Sequence, residues 1–177
     1  MGAPRRNLEL KAKDADPERS LKICEALGAD DEGALLQKDT YFNAPQGRLK
    51  LRQERGAAPR LIAYERQDFP GQKESRYRIV EIGDASELEE ALADVLGITA
   101  VVSKARRLFL FEGVRIHLDR VDGLGSFIEL EGVAGPGDVD LARFEVLLTD
   151  LRHSFGIEDA DLLSGSYCDL VLAAAGP

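Results

Sequence analysis

The chain has 177 residues, of which 44% are hydrophobic and 31% charged, a composition typical of a soluble globular protein with a sizeable core. Its formal net charge of −9 argues against a general nucleic-acid-binding surface and against a polybasic membrane-binding segment. The best apolar run, residues 170–174, is too short to cross a bilayer, and residues 1–6 lack the apolar segment of a signal peptide. We therefore predict one domain covering residues 1–177, located in the cytoplasm, with no nucleic-acid or membrane partner.

The first half of the chain is predicted to form a strand, a helix and three further strands. Alternating apolar and charged residues indicate a strand at about residues 7–13. Asp16 and Pro17 are typical of the start of a helix, and Gly28 of its end. Three more strands are predicted at about residues 35–43, 48–54 and 61–67, because turn-forming residues separate these segments.

The second half repeats this order. A strand is predicted near residues 77–82, followed by a helix that begins with a Ser86–Glu89 capping box and ends at Gly97. Strands are then predicted at about residues 101–111, 114–121 and 126–133. A longer helix is predicted at about residues 139–155, and one or two short helical turns between residues 158 and 175.

Several of these strands carry charges on one face and apolar residues on the other, because side chains alternate with period two. The predicted helices have apolar stripes that must be buried, and the apolar strand faces are the available partners. This arrangement predicts an α+β fold: a closed eight-stranded antiparallel β-barrel, or tunnel, with a polar charged interior and helices packed outside. The alternative is an open sheet whose charged face lies in water.

Lysine and arginine recur at alternate positions of the predicted strands. Arginine matches phosphate oxygens with two parallel hydrogen bonds and lysine offers a compact charge, so several of them on one face are typical of a polyphosphate site. A single such residue is more often a surface charge, and the hypothesis depends on their recurrence in an acidic chain. The candidates are Lys11, Lys50, Arg52, Arg66, Arg76, Arg78, Lys104, Arg106 and Arg115.

Carboxylates follow a similar pattern. Glu129 and Glu131 share a strand face, and Glu9 lies on another strand that a barrel would bring near them. Asp119 is a fourth candidate, and His117 is expected to line the site rather than to act as a base. Hard divalent cations such as Mg²⁺ prefer oxygen ligands, so these carboxylates suit a metal site, although a lone Glu-x-Glu is weak evidence.

Several stretches of the chain resemble a known family. The segment Asn7-Leu8-Glu9-Leu10-Lys11 resembles the Glu-x-Glu-x-Lys signature of the CYTH, or triphosphate tunnel metalloenzyme, superfamily. Residues 103–106, 114–119 and 123–129 are similar to the class IV adenylate cyclase branch, as is the closing run of residues 165–170. The resemblance extends over nearly the whole chain. It departs from the signature at Asn7, which replaces the first Glu and removes one anionic metal ligand.

The resemblance implies an eight-stranded tunnel, a single CYTH-like domain, that binds a triphosphate with Mg²⁺ or Mn²⁺. The predicted metal ligands are Glu9, Glu129 and Glu131, supported by Asp119, and the predicted catalytic residues are Glu9, Lys11, Glu129 and Glu131. The implied phosphate-binding residues are Lys11, Arg52, Arg66, Lys104, Arg106 and Arg115, to which the strand pattern adds Lys50 and Arg76.

The leading functional prediction is a metal-dependent, class IV adenylate cyclase-like enzyme that converts ATP to cyclic AMP and pyrophosphate. The alternative is hydrolysis in the same cavity, with tripolyphosphate, thiamine triphosphate or a nucleotide as substrate. A non-catalytic binder of nucleotides or polyphosphate is a third hypothesis, because of Asn7, and a structural or interaction domain is a fourth. The expected partner is a triphosphate-containing small molecule such as ATP or tripolyphosphate. The oligomeric state is left open, a homodimer included.

Overall fold

The structure is a computed structural model that describes residues 5–135 and 141–176. In these ranges the chain forms eight strands: β1 (Arg5–Lys13), β2 (Asp30–Phe42), β3 (Arg48–Glu54), β4 (Arg60–Arg66), β5 (Lys73–Glu81), β6 (Ile98–Phe111), β7 (Val114–Val121) and β8 (Gly125–Val133). It also forms four α-helices: α1 (Pro17–Ala26), α2 (Ala85–Leu96), α3 (Ala142–Phe155) and α4 (Tyr167–Ala175), with a 3₁₀ turn at Asp159–Asp161. The predicted order of strand, helix and three strands, occurring twice, is confirmed. The predicted start of the third helix, Val139, lies outside the described residues.

The strands close into an antiparallel barrel in the order β1-β5-β4-β3-β2-β6-β7-β8. The ring closes because β8 pairs back onto β1. The two halves of the chain occupy equivalent positions: β2-β3-β4 and β6-β7-β8 are both meanders, while β1 and β5 lie side by side. The predicted closed barrel is therefore confirmed, and the open sheet is excluded.

The apolar core lies between the outer face of the barrel and the helices. Helices α1 and α3 pack against the wall formed by β1, β7 and β8, where Leu10, Ile116 and Phe144 are buried. Helix α2 packs over β2 and β3 around Leu51, and α4 packs against β6 near Val102. Burial of these apolar side chains is the main favourable contribution to folding. The prediction of helices outside and polar groups inside is confirmed.

The contact between α3 and β8 requires a glycine. A Cβ atom added at Gly132 would lie 2.4 Å from Cγ of Phe144 and 2.7 Å from its Cβ. Phe144 belongs to the buried core between the barrel wall and the helices, so its ring has little freedom to move away. The missing side chain at Gly132 therefore lets the helix approach the strand closely.

The N-terminal cap of α1 agrees with the one predicted from the sequence, whereas that of α2 differs from it. Asp16 caps α1 by accepting a 3.0 Å hydrogen bond from the backbone N–H of Arg19. The predicted start of α2 is wrong: Asp84 is the N-cap, and its carboxylate accepts 3.0 Å bonds from the N–H groups of Ser86 and Glu87. A carboxylate is as good a cap as a hydroxyl and here reaches two N–H groups at once. None of the described helices is long and apolar enough to span a membrane.

Candidate active site in the barrel

The barrel surrounds a cavity of about 490 Å³. Inward-facing side chains of all eight strands line it, together with Ser166 and Tyr167 near the start of α4. Among the described residues of this wall, nine are Lys or Arg and six are Asp or Glu. The wall thus carries an excess of three positive charges, although the whole chain has a formal net charge of −9. This distribution favours an anionic ligand in the cavity.

The two ends of the cavity differ in their access to solvent. At the end where β1 begins, the lining includes the exposed residues Arg5 and Glu32. At the opposite end, the wall is formed by Tyr41, Ser166 and Tyr167, each of which is only 4% exposed. We refer to these as the open end and the closed end.

Asp119 holds two cations near the closed end. It accepts two 2.6 Å bonds from Arg106, one of 2.9 Å from Lys104 and one of 2.8 Å from the Tyr167 hydroxyl. Burial alone would raise the pKa of Asp119, but Arg106 and Lys104 hold it far below its usual range. Its oxygens are thus occupied and its side chain does not line the cavity. Asp119 thus positions Lys104 and Arg106 in the barrel wall, and its support of a metal ion stays a prediction.

A second unit of the same kind lies beside the first, on the neighbouring strands β2 and β3. Asp39 on β2 accepts bonds of 2.8 and 2.7 Å from Arg52 and one of 2.9 Å from Lys50. In both units, a Lys-x-Arg pair on one strand meets an Asp on the neighbouring strand. Burial, with Arg52 adding to it, lowers the pKa of Lys50 to about 8. Burial and the adjacent Arg106 lower that of Lys104 to about 7.

Glu9, Glu129 and Glu131 face the middle of the cavity. Glu9 and Glu131 are direct partners across the β1–β8 ladder, and Glu129 is the partner of Lys11. Burial would raise the pKa of Glu129, but Lys11 and Arg106 keep it well below its usual range. Each glutamate is hydrogen-bonded to a nitrogen donor of the wall: Arg66 for Glu9, Lys11 for Glu129 and Asn7 for Glu131.

The donor set of this region fits a hard divalent cation. The carboxylates of Glu9 and Glu131 are neighbours in register, and Asn7 Oδ1 is a buried oxygen without a hydrogen-bond partner. In the part of the chain that the structure describes, no three His, Cys, Asp or Glu side chains are grouped closely enough to hold a metal ion, and each of the three glutamates is paired with a nitrogen. Mg²⁺ commonly uses one or two carboxylates together with waters and phosphate oxygens. Glu9, Glu129 and Glu131 are the residues that would hold such an ion.

Unpaired polar atoms also concentrate in the cavity wall. Among the described residues, four buried side-chain atoms have no hydrogen-bond partner, and all four belong to residues that line the cavity: Asn7 Oδ1, Gln37 Oε1, Arg66 Nε and His117 Nδ1. Burial and Arg106 lower the pKa of His117, which favours its neutral form. Because buried polar groups are nearly always paired in proteins, this wall has spare capacity to bind a polar ligand.

Most of the cations proposed from the sequence are brought together in the cavity. Seven of the eight proposed phosphate-binding residues line it: Lys11, Lys50, Arg52, Arg66, Lys104, Arg106 and Arg115. Arg76 is not among them, because it lies on the outer face of β5, with 64% of its side chain exposed, and pairs with Glu74. Arg78 is exposed on the same face. The inward positions of β5 are instead Ser75, Tyr77 and Ile79, so the charged face of this strand is its solvent face.

Sequence reasoning missed several residues of the wall. Glu54 continues the alternation of Lys50 and Arg52, so the same signal would have found it. Tyr64 lies two positions before Arg66 on the same strand face, but it is uncharged and so gives no signal in a pattern of alternating charges. Other missed residues of the wall include Gln37, Asp39, Arg60 and Tyr167.

Lys73, which the sequence analysis did not predict either, stabilises the chain segment next to the closed end. Its ammonium group donates to the backbone carbonyls of Phe69, Leu163 and Ser164 at 3.0, 2.7 and 2.9 Å. The side chain is 1% exposed. Lys73 therefore fixes the segment that leads into Tyr167, and with it the position of the end wall.

The sequence model of the CYTH domain family matches residues 5–167, and the chain therefore belongs to this family. The family is metal-dependent and binds triphosphate substrates. No curated protein matches the sequence.

Solved structures share the fold at low sequence identity. The PH1012 protein from Pyrococcus horikoshii OT3 is 22% identical, with a TM-score of 0.83 over 93% of this chain and 98% of its own. A candidate adenylate cyclase from Vibrio parahaemolyticus is 20% identical, with a TM-score of 0.77 over 97% of this chain and 99% of its own. A candidate adenylyl cyclase from Hippeastrum, described as having a dominant triphosphatase activity, is 16% identical, with a TM-score of 0.65 over 97% and 96%. At these identities the likeness is one of fold.

Proposed function

We propose that this protein is a metal-dependent enzyme that acts on a triphosphate inside the barrel, and that its reaction is the class IV adenylate cyclase-like conversion of ATP to cyclic AMP and pyrophosphate. The observation that carries this proposal is the order of charged groups along the cavity. Lys11, Lys50 and Lys104 lie toward the closed end. Glu9, two residues before Lys11 on β1, and its β8 partner Glu131 lie nearer the open end.

This order matches the way a nucleoside triphosphate would enter. With one end closed, the terminal phosphate enters first. Its charge is then neutralised by the lysines near the closed end, Lys11, Lys50 and Lys104, which we call the inner cations. The α-phosphorus then lies beside the carboxylates, where a bound divalent ion would neutralise phosphate charge and polarise the phosphorus–oxygen bonds. Attack of the ribose 3′-hydroxyl on that phosphorus forms cyclic AMP, and the inner cations stabilise the departing pyrophosphate.

The two Lys-x-Arg pairs would hold the phosphates in a fixed orientation. Arg52 is held in place by two bonds to Asp39, and Arg106 by two bonds to Asp119. Donors that are already oriented lose little freedom when the substrate binds, so more of their interaction energy is available in the transition state. The same bonds keep both guanidinium groups in a buried site where a single charge would be unfavourable.

Hydrolysis of a triphosphate is the second candidate. It is favoured by the dominant triphosphatase activity described for the Hippeastrum protein, which shares this fold. In this reaction, water attacks a terminal phosphorus, so the chain would have to hold that phosphorus, and not the α-phosphorus, beside the carboxylates of Glu9, Glu129 and Glu131.

The test is a product assay with purified protein, ATP or tripolyphosphate, and Mg²⁺ or Mn²⁺, with Glu129→Gln as the control for contaminating enzymes. Cyclic AMP and pyrophosphate that disappear in the variant would support the cyclase. Orthophosphate from tripolyphosphate without cyclic AMP would move the assignment to a triphosphatase. Saturable binding without turnover would indicate a binding protein, in keeping with Asn7, and no binding of either compound would refute the proposal.

A further inference from the structure

The inner cations lie over tyrosine rings. Nζ of Lys11 is 4.0 Å from the centroid of the Tyr167 ring, and Nζ of Lys104 is 4.7 Å from the same centroid. The third inner cation, Lys50, lies 5.3 and 5.5 Å from the ring centroids of two further tyrosines of the wall. A cation within about 6 Å of a ring centroid is attracted by the negative face of the ring. Tyr167 therefore interacts with two inner cations at once, although it belongs to α4, outside the barrel.

Tyr167 is itself held in place from several directions. Its hydroxyl donates a 2.8 Å hydrogen bond to Asp119, and its ring centroid lies 5.1 Å from that of Phe127. The preceding residue, Ser166, caps α4 by accepting a 3.4 Å bond from the backbone N–H of Asp169. A ring fixed in this way can locate lysine side chains, whose four-carbon stems are flexible.

The ring stabilises the two ammonium groups without occupying their hydrogen-bond donors with a carboxylate. An ammonium group has three N–H donors. Lys11 donates to Glu129, and Lys104 donates to Asp119 at 2.9 Å. The attraction of the ring offsets part of the cost of keeping two like charges buried next to one another. Each ammonium group thus stays charged and keeps donors for a phosphate.

We propose that Tyr167 is a positioning residue, whose ring holds the ammonium groups of Lys11 and Lys104 at the closed end so that both bind the innermost phosphate of the substrate. This inference rests on the proposed function, because it requires a triphosphate that enters with its phosphates toward the closed end. It adds that phosphate affinity depends on the electron density of a ring whose own hydroxyl is bonded to Asp119.

The test changes the electron density of the ring and leaves its size almost unchanged. Fluorine withdraws electron density from the face of an aromatic ring and so weakens its attraction for a cation. Tyr167→Phe is compared with variants that carry difluorophenylalanine or trifluorophenylalanine at Tyr167. Calorimetry in metal-free buffer and again with Mg²⁺ gives the Kd for tripolyphosphate.

We expect the Kd to rise in the order of fluorination. Tyr167→Phe should stay within about threefold of the wild type, because it loses the bond to Asp119 but keeps the ring. The trifluorophenylalanine variant should bind tripolyphosphate about tenfold more weakly than Tyr167→Phe. The control places trifluorophenylalanine at Phe127 instead, because that ring packs against Tyr167. This control should change the Kd less than about twofold.

The outcomes separate this inference from the proposed function. If the wild type binds tripolyphosphate and the Kd is the same throughout the series, the ring only fills space and the inference is overturned. If the wild type does not bind tripolyphosphate at all, the proposed function itself is refuted. Melting temperatures check that each variant folds.

Nuclear magnetic resonance of the wild-type protein gives a second measurement that needs no variant at Tyr167. The Hε protons of Lys11 and Lys104 should be shifted upfield by the ring current of Tyr167, because both ammonium groups lie over its face. The shift should persist when tripolyphosphate binds. Its loss on binding would show that the ring does not hold the lysines in the complex, and would overturn the inference.

Discussion

The chemistry of single residues in this cavity depends on how its buried charges are paired. Arg52 and Arg106 lie in a wall with little access to water, where an isolated cation would be unfavourable. Asp39 and Asp119 offset this cost and also orient the two guanidinium groups. An entering phosphate therefore meets donors that are charged and oriented, which is the condition for strong recognition of an anion.

Removing one of these donors is expected to weaken phosphate binding specifically. Arg52→Met eliminates a charged donor, and hydrogen bonds to charged groups contribute about 1.5–3 kcal/mol each, so the Kd for tripolyphosphate should rise about tenfold to 150-fold. The control is Arg107→Met, because Arg107 has 43% of its side chain exposed and pairs with Asp31 outside the cavity. The Kd of the Arg107→Met variant for tripolyphosphate should stay within about twofold of the wild-type value. An unchanged Kd for Arg52→Met would contradict a phosphate-binding role.

At the scale of elements, the strand pattern identified the strands but not always the face that points inward. The charged face is the inner face on β3 and β6, where helices cover the outside. On β5 the same rule fails, because Arg76 and Arg78 lie on the solvent-exposed outer face. Alternation fixes which residues share a face, whereas packing of other elements decides which face is buried. The sequence of one strand does not contain that information.

The close approach of α3 to β8 gives a test at this scale. Gly132→Ala puts a methyl group within contact distance of Phe144, so the helix or the strand must shift, at a cost of about 1–3 kcal/mol in the free energy of unfolding. Gly83→Ala is the matched control, because a Cβ there meets no atom within 4 Å. Its effect should be less than about 0.5 kcal/mol. Denaturant unfolding measures both, and equal effects would show that the contact with Phe144 is not restrictive.

The segment that closes the barrel gives a second test. Lys73→Met removes the donor shared by three backbone carbonyls, and leaving buried acceptors without a partner costs about 1–3 kcal/mol of unfolding free energy. Because this segment carries Tyr167, the KM for a triphosphate should also rise. Lys13→Met is the control, since Lys13 is exposed at the end of β1. If both variants keep the wild-type stability and KM, Lys73 does not hold the end wall.

For the whole molecule, the sequence was sufficient to predict the closed barrel, the outer helices and most of the cavity cations. It was not sufficient to predict the pairing of Asp39 with Lys50 and Arg52, because that contact depends on the register between β2 and β3. Nor did it predict the end wall, which joins Lys73 to a segment 90 residues away. The extent of the domain over residues 1–177, the cytoplasmic location and a homodimer stay predictions.

The inner cations are expected to make ligand binding depend on pH. The pKa of Lys50 is about 8 and that of Lys104 about 7, both below the ordinary value of 10.5. Between these values and 10.5 the unfolded chain binds more protons than the folded one, so these two groups make stability rise with pH. A bound phosphate favours the charged amines and raises both pKa values, so binding has the opposite dependence.

The affinity for tripolyphosphate should therefore fall as the pH rises from 7 to 9, and binding at pH 9 should take up protons. Calorimetry in two buffers with different ionisation enthalpies measures this uptake. At pH 6 both lysines are largely charged in the free protein and contribute little uptake. Lys50→Arg keeps its charge at every pH used, so this variant should take up fewer protons at pH 9 than the wild type. A Kd that stays constant from pH 7 to 9 without proton uptake would show that phosphate does not reach these lysines.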